Sequence, residues 1–162
     1  MPAATYHIPD EPTPTRLSRL AVNPIWPLLS MMLGGVWLSW PWYLANGAFI
    51  GSATRTRELA FVIGGLLGSA ALAVGILTLE PELPRHAGAY LVIAIIGWKL
   101  GVTYWLQTLQ GRSFALLEYF ERRRFRSGFL VVAAGFILRQ QLVEHLPAHP
   151  DLLSLVAAIT LL

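Results

Sequence analysis

This chain has no cysteine among its 162 residues. Disulfides, thiolate metal sites and thiol chemistry are therefore excluded, and redox usage says nothing of the compartment. Charge is also scarce. Charged residues make up 13% of the chain and hydrophobic ones 55%, with a mean hydropathy of +0.56. A soluble domain carries about 25% charged residues. Half that number leaves too little polar surface to coat a globule, and lipid is the simplest solvent for such a chain. The four histidines, His7, His86, His145 and His149, fall in the arm, in loops or at the very end of the last long run. Axial ligation of a buried haem is thus not expected, and the expected set of cofactors and metals is empty. His145 and His149 share a helical spacing, but Pro147 between them breaks the helix that would align them.

What is present is a series of apolar runs of the length that crosses a bilayer, about 20 residues at 1.5 Å each. A polar arm over 1–23, with four prolines, lacks the basic start and apolar core of a signal peptide. The first run extends from Pro24 to about Ile50, with Pro41 expected to kink or end it near Asn46-Gly47. The second extends from Glu58 to Leu79, the third from Gly88 to about Gln110, and the fourth from near Ser127 to about Leu146. The residues from 147 on end in a twelve-residue apolar piece, Asp151 to Leu162, about 18 Å of helix and short of a span. It reads as a half-span or an interfacial helix. The expected fold is all-α: a polytopic membrane helix bundle of four full spans over 24–146, plus this C-terminal segment.

The 12 basic and 9 acidic residues give a net charge of +3, and all the basic residues but one are arginine. This balance requires no nucleic acid. With four spans, seven arginines (Arg55, Arg57, Arg112, Arg122, Arg123, Arg124 and Arg126) share one side, against Arg16, Arg19 and Arg85 on the other. The positive-inside rule then places loops 51–57 and 111–126 in the cytoplasm and both termini outside. The loop Gly111 to Arg126 reads GRSFALLEYFERRRFR. It reads as an amphipathic segment whose arginines meet lipid phosphates, as a loop that only sets topology, or as a docking site for a soluble partner.

Two patterns are candidates for function. Gly64, Gly68, Ala71 and Gly75 fall on one face of the second run, and Gly97 and Gly101 repeat the spacing in the third. Small residues let helix backbones approach, so this strip is either internal packing or an interface to another subunit or copy. Lys99 and Arg139 lie at about mid-depth, and no Asp or Glu of this chain shares that depth; Glu58 and Glu144 fall at span ends. A cation there snorkels toward head groups or is met by an anion from outside: a lipid phosphate, an anionic solute or a carboxylate of another subunit. Among the aromatics, Trp37, Trp40, Trp42 and Tyr43 suit a membrane interface, whereas Trp98, mid-span, suits packing in the bundle. No activated nucleophile is evident. Ser69 with Lys99 can be drawn as a dyad, but nothing in the sequence brings them together.

The Gly34-Gly35 pair in a first run ending near Asn46, the basic loop with Arg55 and Arg57, the Gly-rich second run and the long basic loop before the fourth resemble small four-helix bacterial inner-membrane proteins. That resemblance implies an inner-membrane location and carries no activity with it. The expected function is a non-catalytic subunit of a larger membrane complex, with membrane lipids and other integral membrane subunits or further copies of itself as partners. A small homo-oligomeric channel or transporter for an anionic solute is the alternative, and an intramembrane enzyme acting on lipid the third.

Overall fold

The structure is a computed structural model that describes residues 12–13, 16–79, 87–121, 125–145 and 152–161. Among these residues it is all-α. A 3-10 turn at Arg16–Leu20 precedes six α-helices: α1 Ile25–Leu33, α2 Val36–Ile50, α3 Arg55–Leu79, α4 Ala87–Glu121, α5 Phe129–Glu144 and α6 Leu152–Leu161.

The first apolar run is not one helix. It breaks at Gly34-Gly35, where Gly35 adopts φ 96° and ψ −179°, a conformation a side chain disfavours. The amides of Gly34 and Gly35 both donate to the Ser30 carbonyl, at 2.7 and 3.0 Å, and close α1. The chain then reverses. Ser39 Oγ donates to the Pro27 carbonyl at 2.7 Å, and Tyr43 Oη to the Pro24 carbonyl at 3.0 Å. Asn46 closes the base, accepting from the Val22 amide at 2.9 Å and donating to the Val22 carbonyl at 3.0 Å. These pairings are antiparallel, so α1 and α2 form a helical hairpin. Pro41 lies within α2, exposed, and does not end it.

The four-span expectation is met in part, because the first run is a hairpin and not one helix. Among the described residues, two helices are long and apolar enough to cross a membrane, Arg55–Thr78 and Tyr90–Glu121. The α1–α2 hairpin starts and finishes at one level, and its nine-residue first arm reaches only about 14 Å. Helix α5 has 16 residues, about 24 Å. A correction concerns 111–126: Gly111 to Glu121 is the last part of α4, not a loop.

Helices α3 and α4 pack antiparallel, with Trp98 Nε1 donating to the Gly65 carbonyl at 3.2 Å. Helix α2 lies alongside α4, where Trp40 Nε1 donates to Thr103 Oγ1 at 2.9 Å. Trp40 and Tyr43 are fully buried and form the core with Met31, Val36, Val62, Val102 and Leu106, in place of the interfacial position their residue types suggest. Helix α5 runs parallel to α1. Gly128 sits against Trp26 and Trp42, and Gly135 against Leu38 near the hairpin tip. Helix α6 packs on α3 beyond that tip.

One end of the bundle gathers the base of the hairpin, the turn after α2, the end of α4 and the start of α5. Thr13 N donates to the Gly51 carbonyl at 3.0 Å, Ser18 Oγ to Glu121 at 3.1 Å, and Val22 bridges to Arg126. Arg16 and Arg19 therefore share an end with Arg55, Arg57, Arg112 and Arg126, where the sequence reading had set them opposite. The reason is the hairpin, which returns the chain to the end it started from.

Candidate functional site: two polar levels in an apolar bundle

The lower level is a buried hydrogen-bond network around Glu58, whose side chain is fully buried. Its Oε1 accepts from Ser52 Oγ at 2.5 Å and Thr54 Oγ1 at 3.0 Å, and its Oε2 from Gln110 Nε2 at 2.7 Å. Gln110 Nε2 also donates to the Tyr43 carbonyl at 2.6 Å, and its Oε1 accepts from Asn46 Nδ2 at 3.2 Å. The short turn 51–54 places Ser52 and Thr54 one turn ahead of Glu58, and Gly47 leaves the space that carboxylate and amide occupy. Glu58 thus ties α2, α3 and α4 together with each oxygen engaged. A carboxylate so satisfied is held by the fold. Sequence reading set Glu58 at a span end and passed over Asn46 and Gln110. The available signal was three polar residues in otherwise apolar runs.

The upper level lies beyond the hairpin tip. Ser69 is eleven residues beyond Glu58, and Lys99 eleven before Gln110, so both stand about 17 Å from the network along their antiparallel helices. Arg139 is one turn past Gly135, which packs at the tip. Lys99 and Arg139 line one cavity of about 510 Å³, with Met31 and Met32 of the tip, Ile95, and Ile159 of α6. Forty residues of sequence separate the two cations, and the fold brings them together. Lys99 is only 4% exposed and its Nζ donates to the Ile159 carbonyl at 2.6 Å. Lys99 therefore turns inward and does not snorkel. Its acceptor belongs to the last turn of α6, where carbonyls lack intrahelical partners and the helix dipole favours a cation.

Among the described residues, four buried side-chain polar atoms have no hydrogen-bond partner: Trp37 Nε1, Ser69 Oγ, Arg139 Nε and Thr160 Oγ1. Trp37 is next to the hairpin turn and Thr160 is next to Ile159, so all four belong to this upper level. Every one of them can donate.

The glycine strip divides. Gly68 packs under the Trp98 ring and Gly65 under Trp40, so these two positions are tight. A Cβ on Gly64, Gly75, Gly97 or Gly101 would meet nothing within 4 Å, and Ala71 is exposed. Gly64, Gly97 and Gly101 instead floor an open apolar groove, also about 510 Å³, flanked by Phe61, Trp98 and Trp105. Within this strip the close contacts of Gly65 and Gly68 are therefore to tryptophan rings. Of the basic segment, Arg126 is exposed at the Val22 bridge; Arg122, Arg123 and Arg124 lie outside the described residues. No family model matches this chain, and comparison with curated proteins and with solved structures found no match.

Proposed function

We propose that this chain is a non-catalytic, multi-pass subunit of a bacterial inner-membrane complex, packing against other membrane helices and engaging anionic groups. The observation that carries the membrane reading is the inverted placement of polarity. Ser30, Ser39, Asn46, Glu58, Thr103 and Gln110 are fully buried, while Leu67, Ile93 and Leu130 are 67%, 65% and 79% exposed. A surface of that kind is costly in water and neutral in lipid. The gathering of Arg16, Arg19, Arg55, Arg57, Arg112 and Arg126 at one end supports that end as cytoplasmic.

The subunit reading is supported by the groove on α3 and α4. Its glycine floor admits a helix at close range, and its aromatic rims supply contact area. The test uses the absence of cysteine. Single Gly64→Cys and Gly101→Cys variants in intact membranes are expected to give a disulfide-linked or bismaleimide-linked product larger than the chain. A protein released from membranes by alkaline carbonate would sink the membrane reading. Monomeric behaviour in mild detergent together with no crosslink at either position would sink the subunit reading. The second reading, a homo-oligomeric channel or transporter for an anionic solute, is favoured by the two cations in one cavity. Crosslinks solely between copies of this chain, with anion flux in vesicles, would select it.

A further inference from the structure

The upper cavity combines two features that single-purpose packing does not need. Its charged wall holds Lys99 and Arg139, and its remaining lining is apolar, from Met31, Ile95, Leu100 and Ala158. Around the same level stand four polar atoms able to donate and lacking an acceptor. Leaving a buried donor unmet costs the full desolvation of that group, and an unpaired charge costs more. One of Lys99's three N–H groups is spent on the Ile159 carbonyl. Two remain, along with Nε–H of Arg139. The missing component is therefore an acceptor with negative charge, and the apolar lining asks for a body without polar atoms.

We infer that the cavity between the hairpin tip, α4, α5 and α6 binds an amphiphile whose oxyanion is held by Lys99 and Arg139 and whose hydrocarbon part lies against Met31, Ile95 and Leu100. The oxyanion is a phosphate or a carboxylate, both of which accept several charge-assisted hydrogen bonds from a guanidinium and an ammonium. Two sources supply that chemistry in a membrane: the headgroup of an anionic phospholipid and a free acyl carboxylate. This inference deepens the proposed engagement of anionic groups and rests on the membrane reading.

The test uses the full chain purified in mild detergent. Dioleoyl-phosphatidylglycerol, dioleoyl-phosphatidylcholine, oleate and inorganic phosphate are added separately. Thermal unfolding is followed by tryptophan fluorescence, and retained ligand by native mass spectrometry. Phosphatidylglycerol or oleate is expected to raise the midpoint and stay bound, and phosphatidylcholine to do neither. A response to phosphatidylglycerol alone identifies the headgroup as the source, and a response to oleate alone the free acyl anion. Arg139→Gln and Lys99→Met should each weaken binding about ten- to a hundredfold. Ala158→Phe fills the cavity and keeps both cations, so it should abolish binding in a folded protein even if Lys99→Met loosens α6. Equal shifts with phosphatidylcholine, no shift with either anionic amphiphile, or full binding by all three variants would overturn the inference. The same shift with inorganic phosphate alone would overturn the amphiphile and leave a free anion. Carbonate extraction reports on the membrane reading independently, so failure of either is recognised separately.

Discussion

Gln110 and Glu58 meet at 2.7 Å across 52 residues of sequence, each fully buried. That single contact joins the middle of α4 to the start of α3, and the second acceptor of the same amide, the Tyr43 carbonyl, brings in α2. Removing the carboxylate leaves the Ser52, Thr54 and Gln110 donors without their acceptor. A buried donor left unsatisfied costs about 1–3 kcal/mol. Glu58→Ala is expected to lower stability by about 3 kcal/mol or more, read as a denaturant or thermal midpoint in mild detergent. Glu58→Gln retains an acceptor and should lose less. Equal midpoints for wild type and Glu58→Ala would show that the network contributes nothing.

Gly47 is the position that makes room for this network. A Cβ there would overlap Glu58 Oε2 and Gln110 Nε2. Gly47→Ala is expected to destabilise by about 1–3 kcal/mol through overpacking. In the Glu58→Ala background the same substitution should cost much less, because the clashing oxygen is gone. Additive losses in that double-mutant cycle would break the proposed coupling.

The hairpin depends on Gly35, at φ 96°. Placing an alanine in a left-handed conformation costs about 1–2 kcal/mol. Gly35→Ala should destabilise by that amount, whereas Ala45→Gly on the exposed face of α2 should cost no more than about 1 kcal/mol. Matching unfolding curves for Gly35→Ala and wild type would count against the turn.

Topology is testable by labelling. Thr13, Ala53 and Ser127 are exposed at one end of the bundle. Single-cysteine variants at the three positions are expected to react with an impermeant maleimide from the same side, and only in opened cells if that side is the cytoplasm. Labelling of Thr13→Cys from the opposite side to Ala53→Cys would dismantle the hairpin arrangement.

Helix content and the two long apolar helices were legible because runs such as Phe61 to Leu77 contain no charge at all. The first run misled for a physical reason. A proline in a helix is a visible irregularity, and Pro41 drew the expected kink. The actual break needs a glycine at positive φ, which the pair Gly34-Gly35 permits but does not require. The mid-depth cations were legible from charge alone, with snorkelling and an external anion as the two readings. Their meeting in one cavity was not, since it depends on α5 lying parallel to α1 and on α6 closing over the tip. The glycine strip was visible as spacing, but spacing cannot say that Gly68 would meet a tryptophan ring while Gly64 meets nothing.

The position of α6 has a consequence in time. Synthesis runs from the hairpin to α6, and the hairpin's bonds span at most 24 residues, Val22 to Asn46. The contact from Lys99 to Ile159 spans 60. The early, local hairpin therefore forms long before the late, distant closure, and loop closure across longer stretches is slower. Until the second event the Lys99–Ile159 hydrogen bond is unmade. For the amphiphile inferred above, this order would put entry before α6 is in place, with α6 then covering it.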